Sequence, residues 1–587
     1  QKILILTLGA LAFLGAYKLV SDLVDRPGRY AAGFVYALGA VGYAGIRQGR
    51  LGALVFGAMA PFVLLYLLRL IGWMRPPAWD RGRAVARLAI AVALSVAFVP
   101  GALFLYAGIA VVLTAGRTLL DRAAQTLRGL LSSMIGIALG WVLLLPWSAH
   151  WFSDRGPLHE LTSATSWRLF TDSFHGTGMA TVLLGQTPRA PALFGLAMPL
   201  LGVIAVLLAE GQRRRVALAL WAVVVTLGLI ITAIGKGAVR PIVASPTEAG
   251  VMVSAAFAGL AGIAVGAFRM DLSRRKLGLI HALVLGGLAF SAFLLGAGLV
   301  PAMWHGEWDP GAGSAQIDTA TVDTVRGLLA AEQEQAGQFR ALWIGRGWVP
   351  SEPSDATAQA PYLLTGPRGQ VLSDLFPLGG GAAQSEFDRD IASIEHGRTD
   401  LGGSLLGAFN VHFVVLQRTS GASRWLAQRD FAVTRSDPKF LLLENQSFVA
   451  RAAVYPKLPA FVGVSHSDRA IGASGAPSPP QVIADQRSAS SYTAPSTHGP
   501  GVVFAAEAHD PRWRASVDGV SLHRIPGGWG NAFEIPASAS GDLAVKYPRS
   551  ISQVMWLLFV LLAWIVIAGA AFSRRRRSAV GARSLRT

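Results

Sequence analysis

The sequence predicts a polytopic α-helical membrane bundle of about eleven spans, carrying an exterior α/β subdomain and a small β-sandwich. Three observations predict it. Only 15% of the 587 residues are charged and 52% are hydrophobic, against about 25% charged in a soluble domain. Apolar runs of about 20 residues, the length that crosses a bilayer, recur through the first half and once near the end. Between them, residues 302–551 are polar and punctuated by turn residues. A mean hydropathy of +0.45 excludes a soluble enzyme, a disordered chain and a disulfide scaffold. Cysteine is absent, so no thiolate metal site or Cys nucleophile exists.

In chain order, spans are expected near 3–20, 31–47, 51–73, 86–99, 101–115, 129–147, 192–209, 216–234, 249–268, 277–301 and 552–572. The stretch 86–115 is too long for one untilted span and has Pro100-Gly101 at its centre. Proline ends or kinks a helix, so two short helices are expected, with one kinked helix as the alternative. The chain opens on Gln1 and enters an apolar span at Ile3, without the basic region and cleavage site of a signal peptide. It is expected to be part of a longer chain.

Arginine sets the orientation. Arg574, Arg575, Arg576 and Arg577 follow the last span and place that end in the cytoplasm. Counting backward puts Arg269, Arg274, Arg275 and Lys276 on the same side, with Arg213, Arg214 and Arg215 and with Arg117, Arg122 and Arg128. Two helices in 86–115 bring Arg75, Arg81, Arg83 and Arg87 there too, so charge favours the split. The surplus of +18 therefore reads as topology signals, and no nucleic-acid partner is expected. The same count sends 148–191, 235–248 and 302–551 outside. The expected protein is multi-pass in the plasma membrane, with 302–551 extracytoplasmic and the C-terminus cytoplasmic. Its parts are a bundle at 1–303, an exterior α/β domain at 304–465, a linker or long loop at 466–500, a β-sandwich module at 501–550, a final helix at 551–573 and a basic tail at 574–587.

Within the exterior region, 318–336 suits a helix, Arg340–Gly345 an apolar strand, Gly402–Phe409 a helix, and Val411–Gln417 and Lys439–Leu443 strands. Helices alternating with strands indicate an α/β subdomain. The Pro/Ser/Gly-rich stretch Ser465–Pro500 reads as a linker. Short strands then fall at Val502–Ala506, Trp513–Val517, Ala532–Ile535 and Asp542–Tyr547, separated by Asp518-Gly519 and Gly527-Gly528, which suits a sandwich.

Chemistry is expected in the outer loops. The segment Leu145–Trp151 leaves the membrane with tryptophans at headgroup level, and Ser166–Leu184 suits a helix lying in the interface. Asp154, Glu160 and Asp172 are the candidate catalytic carboxylates. With a lipid-linked donor, one of them would take the proton from an acceptor hydroxyl as the anomeric carbon leaves its phosphate. Arg155, Arg168 and Arg189 would steady that phosphate through paired N–H bonds, with His159, Lys236 and Arg240 on the same face. Trp513, Trp529 and Tyr547 are candidate stacking surfaces for glycan. Asp388-Arg389-Asp390 reads as a structural helix segment, and His150 and His159 as surface residues. There is no P-loop, His-Glu-x-x-His or Gly-x-Ser-x-Gly. No metal site is expected; no motif calls for a cofactor, and a divalent metal is left open.

The order of landmarks resembles the membrane and exterior portion of large actinobacterial glycosyltransferases, in which a cytoplasmic family-two glycosyltransferase domain is fused to a many-helix membrane region. The landmarks are Gln48–Gly52, Trp79 with its following arginines, Phe98-Val99-Pro100, Leu145-Pro146-Trp147 and Gln186–Pro191, then Arg340–Gly345, Val411–Gln417 and Glu444-Asn445 leading to Arg451. The segment Trp513–Gly519 is similar to a β-module in exterior domains of C-type membrane glycosyltransferases, including arabinofuranosyltransferases. The resemblance implies assembly of cell-envelope glycans from a polyprenyl-phosphate-linked sugar at the outer face. A lipid-linked sugar donor, an envelope glycan acceptor and membrane lipids are the implied partners. The Asp-x-Asp and Gln-x-x-Arg-Trp motifs of the cytoplasmic domain are not in this sequence, and Ser423-Arg424-Trp425 is a fragment of the latter, so no family catalytic residue maps onto it. A lipid-linked sugar transporter or flippase is the alternative, and a non-catalytic glycan-binding scaffold the third. The spans are nearly free of acids, with Lys18 and Arg69 near their ends, where snorkelling suffices; that argues against proton coupling.

Overall fold

The computed structural model describes residues 2–38, 51–74, 80–119, 123–145, 147–152, 197–239, 246–274, 279–304, 319–345, 362–366, 382–418, 421–462, 480–488, 490–548 and 550–573. The chain divides into two units: Gln1–Pro310 with Ser552–Thr587, and Gly311–Ile551.

The first unit is a helical bundle. Its helices are α1 (Lys2–Leu19), α2 (Arg26–Ala37), α3 (Leu51–Ile71), α4 (Arg81–Val96), α5 (Ala102–Thr118), α6 (Ala123–Val142), α7 (Ala197–Leu208), α8 (Gly211–Gly235), α9 (Pro246–Arg274) and α10 (Leu279–Trp304). Among the described residues four helices are long and apolar enough to cross a membrane: Gly52–Ile71, Gly211–Gly235, Gly250–Met270 and the last helix, Ile551–Phe572. Shorter apolar stretches accompany them among the described residues, at Leu6–Leu19, Ala102–Thr118, Thr126–Val142, Ala197–Leu208 and Ala282–Leu294, and these residues do not confirm the expected count of about eleven spans. One boundary also moves. The second helix starts at Arg26 rather than 31, because Asp25 takes the N-cap position and Pro27 pre-sets the first turn.

Contacts fix the helix directions. Asp22, just past α1, reaches Arg69 in the last turn of α3 at 2.6 Å, while Leu8 packs with Val55, Ala58 and Met59, so α1 and α3 run parallel. Gly52 at the start of α3 lies against Phe98 and Val99, just past α4. At the other end, Trp73 donates to the Leu113 carbonyl near the end of α5 at 3.0 Å. Thus α4 runs against α3 and α5 runs with it: residues 86–115 form two helices that turn back at Pro100. Backbones touch where α2 crosses α9, since a Cβ on Gly28 would meet the Gly262 carbonyl at 2.7 Å and one on Gly262 the Gly28 carbonyl at 2.8 Å. Small residues permit such approach where burial from water supplies no driving force.

The arginines gather at one end of this bundle. Arg269 pairs with Asp25 at 2.9 Å. Arg213 Nε donates to the Leu23 carbonyl, Gln212 to the Trp73 carbonyl, and the Arg117 guanidinium lies 5.3 Å from the Trp73 ring centre. Arg87 Nε donates to the Ala571 carbonyl near the end of the last helix. Leu38, Gly52, Pro100, Phe152, Ala197 and Lys236 mark the opposite end, by the directions of the helices they bound.

The second unit contains three five-stranded sheets. Its helices are α11 (Thr319–Ala336), α12 (Ala382–Glu395), α13 (Gly402–Gly407) and α14 (Ala422–Leu426). Strands β1 (Arg340–Ile344), β2 (Tyr362–Thr365), β3 (Val411–Gln417), β4 (Phe431–Ser436) and β5 (Phe440–Asn445) form the first sheet in the order β2-β1-β3-β5-β4. The central pair β1 and β3 is parallel and the rest antiparallel. Val325 and Leu329 of α11 cover Trp343, Phe413, Val415 and Leu442 on one face. Phe387, Ile391 and Ile394 of α12 cover Leu342, Val414 and Leu416 on the other. Burial on both faces explains the unbroken apolar run of β3.

The sandwich corrects two expectations. One sheet orders β13 (His523–Ile525), β14 (Asn531–Ile535), β10 (Gly501–Ala505), β6 (Ala452–Tyr455) and β7 (Val482–Ile483). The other orders β12 (Val520–Ser521), β11 (Arg514–Val517), β15 (Ser540–Lys546), β9 (Ser491–His498) and β8 (Asp485–Ser488). The sandwich therefore begins at Ala452, not 501, and Val482–Ile483, Asp485–Ser488 and Ser491–His498 of the expected linker are strands. They read as polar because β8 is largely exposed while β9 buries only alternate residues at first, Tyr492 and Ala494. Nor is the sandwich separate from the α/β part. Val503 and Ala505 of β10 face the second sheet, whereas Phe504, with Ala506 beyond it, joins the α/β core with Trp529 and Ala532. The two form one body.

Candidate functional site

At the end opposite the arginines, α6 runs into a 3-10 turn at Trp147–Phe152. Ser148 closes it: its hydroxyl donates to the Trp141 carbonyl at 3.0 Å and its carbonyl accepts from Trp141 Nε1 at 3.2 Å. Trp151 is fully buried, and the half-exposed Trp147 meets its ring edge to face at 5.0 Å. Lys236 is exposed at the same end, just past α8, where a cation suits the negative end of the helix dipole. The connection from Phe152 to Ala197 therefore leaves and returns at this end. Asp154, Arg155, His159, Glu160, Arg168, Asp172 and Arg189 on it lie outside the described residues, as does Arg240.

In the second unit the expected stacking surfaces are corrected. Trp513 and Trp529 are each only 7% exposed. Trp529 donates to the Ala408 carbonyl at 2.9 Å and stacks on Phe409 at 4.6 Å; Trp513 fills the core between the sandwich sheets. Both indoles are core anchors with no open face for a sugar. Tyr547 is half-buried, with its hydroxyl on Asp510 at 3.0 Å and the Arg512 guanidinium 4.6 Å from its ring centre. Hydrogen bonds from Arg512 hold the Asp510 carboxyl down to about 2. Arg524 ties the same corner together through the Asp510 and Trp513 carbonyls and Asn531.

A charged centre absent from the sequence reading lies where the α/β part meets the sandwich. Glu507 accepts from Arg340 at 3.3 Å, Arg451 at 2.7 Å and the Tyr492 hydroxyl at 2.5 Å. Arg340, 1% exposed, also donates to the Phe409 and Ala506 carbonyls at 3.0 and 2.9 Å. Burial alone would raise the Glu507 carboxyl; the two guanidiniums and the hydrogen bonds bring it below its usual range. The signal in the sequence was the lone arginine opening β1, where an apolar strand otherwise has no use for a charge.

Asp388 and Asp390 are buried, and Asp388 accepts from the Tyr362 hydroxyl. Among the described residues no group of three His, Asp or Glu side chains is placed to hold a metal ion. His412 at the start of β3 is buried, stacked on Phe448 at 4.1 Å and edge-on to Phe339 at 5.1 Å. Burial pushes it down to about 4, with the partly exposed Glu444 carboxyl 3.5 Å away. It is therefore neutral in the folded protein at pH 7. Because the unfolded chain takes up that proton near pH 6.5, stability should fall as pH drops from about 6.5 to about 4, by about 1–2 kcal/mol at pH 5. Hydrogen exchange of β3 and β5 against pH checks this, and His412→Phe should remove that part of the dependence.

No protein-family model matches the sequence, and no curated protein matches it. The chain is similar to a solved structure of arabinofuranosyltransferase AftD from Mycobacteria, with 14% identity and a TM-score of 0.45, covering 93% of this chain and 51% of that one. Two structures of a mutant of that protein match with TM-scores of 0.40 and 0.38, also at 14% identity, over 93% and 94% of this chain and 53% of theirs. The chain thus spans about half the length of the structures it matches.

Proposed function

We propose that this chain is a membrane glycosyltransferase, or the membrane and exterior portion of one, that builds cell-envelope glycan from a polyprenyl-phosphate-linked sugar at the outer face of the plasma membrane. The observation that carries the reading is the segregation of charge along the bundle. The described arginines crowd one end, which the positive-inside rule assigns to the cytoplasm. The connection that bears Asp154, Glu160 and Asp172 starts and finishes at the other, beside exposed Lys236. One carboxylate there acts as the base for the acceptor hydroxyl, and Arg155, Arg168 and Arg189 bind the departing lipid phosphate. Purified protein in liposomes, given a polyprenyl-phosphoryl sugar and an envelope glycan, should transfer sugar to the glycan. Movement of the donor across the bilayer without transfer would instead favour a flippase, and glycan binding without turnover a scaffold.

Sidedness has its own test, and the absence of cysteine makes it clean. Ser521→Cys, on the exposed strand β12, should react with a membrane-impermeant maleimide in intact cells. Ser573→Cys, exposed at the end of the last helix, should react only after lysis. The reverse pattern would leave the proposed chemistry without a substrate.

A further inference from the structure

We propose that the arginine-rich end of the bundle is a binding surface for anionic phospholipid headgroups, centred on Trp73. Trp73 lies just past α3, with the Arg117 guanidinium over its ring and Gln212 on its carbonyl. Gly129 packs on the backbone of Leu70 and Ile71 immediately before it. These contacts bring the start of α6, with Arg128, and the start of α8, with Arg214 and Arg215, around one point, and Arg81 opens the helix that follows it. All four side chains are exposed.

Among the described residues the acids at this end are already used. Asp22 pairs with Arg69, Asp25 with Arg269 and Asp80 with Arg83, and Glu210 is engaged as well. By contrast, the side chains of Arg81, Arg128, Arg214 and Arg215 have no hydrogen bond or ion pair among the described residues. Nor does helix stability account for them, because Arg81 and Arg214 sit in first turns, where the helix dipole disfavours a cation. What covers them follows from where they are. Arg128, Arg214 and Arg215 lie at the near ends of apolar helices, α8 long enough to cross a bilayer and α6 apolar over Thr126–Val142. Arg81 lies at the same end of the bundle, so the layer around them is the headgroup layer. The four cations around Trp73 are arginines, whose planar fork grips a phosphate through two N–H bonds, where lysine offers a point charge. The inference is independent of the proposed enzymatic reading.

Native mass spectrometry of the full chain released from phosphatidylcholine vesicles, with or without phosphatidylglycerol, tests it. Phosphatidylglycerol should be retained in preference to phosphatidylcholine, and retention should fall as salt rises. Each arginine-to-glutamine change should weaken retention by about fivefold, and the combined Arg81→Gln, Arg128→Gln, Arg214→Gln, Arg215→Gln protein should retain the two lipids alike. The matching lysine protein, with charge but no fork, should fall between. Equal retention of both lipids by the unaltered protein overturns the proposal without need of any variant, and so does undiminished phosphatidylglycerol retention in the glutamine protein.

Discussion

Among Asp154→Asn, Glu160→Gln and Asp172→Asn, the change that removes the general base should lower kcat for sugar transfer by about 10²–10⁴-fold. The amides keep shape and hydrogen-bonding capacity but cannot take a proton from an acceptor hydroxyl. The loss should come in kcat, because the base acts as the glycosidic bond breaks. The acidic limb of the pH–rate profile, which reports that carboxylate's ionisation, should disappear in the same variant. Lysine at Arg155, Arg168 or Arg189 should behave differently. It keeps the charge and loses the bidentate grip, so KM for the lipid donor should rise while the pH profile stays. Steady-state kinetics over pH separate the two outcomes, and unchanged kcat in all three acid variants would remove the connection 153–196 from the mechanism.

Glu507→Ala should destabilise the second unit by about 3–5 kcal/mol, the cost of stripping the counter-charge from a buried ion pair. Arg340 and Arg451 would keep their buried guanidiniums with no carboxylate between them, and the Tyr492 hydroxyl would lose its acceptor. Glu507→Gln, which retains an acceptor but no charge, should cost less. A carboxyl held below its usual range stabilises the fold above the unfolded-state value near pH 4.5 and stops doing so as pH falls through its folded value. The glutamine protein should lack that acid-side loss. Denaturant unfolding followed by tryptophan fluorescence is the measurement, since Trp529 lies 5.9 Å from the Arg340 guanidinium. A change under about 1 kcal/mol would mean that the centre behaves like a surface pair.

Four of the apolar spans and the strongest strands were legible because their signals are local. Val411–Gln417 is a strand in the sequence and in the structure alike, and the break at Pro100 declares itself through proline chemistry. What escaped was set by distant partners. Strands β7, β8 and β9 looked like a linker because one side of β9 and most of β8 face water, and pairing of β7 with β6, β8 with β9 and β9 with β15 makes them strands. Trp513 and Trp529 had the composition of a glycan platform, and burial, which sequence does not carry, decided against it. Arg340 and Arg451 stood out as landmarks, but their shared carboxylate lies 167 and 56 residues further on. Of the expected site, Lys236, Trp513, Trp529 and Tyr547 fall among the described residues.

The middle sheet of the second unit threads together chain from both ends of that unit's sandwich: β6 comes at Ala452, and its neighbour β10 must also recruit β14, ending at Ile535. A growing polypeptide therefore cannot seal the hydrophobic side of β6 until nearly all of the unit has left the ribosome. Residues 536–550, which include β15, then remain before the last helix begins. Completion of this sheet and synthesis of the last helix thus follow closely in time, and β6 waits for its partner β10 until β9 has been made.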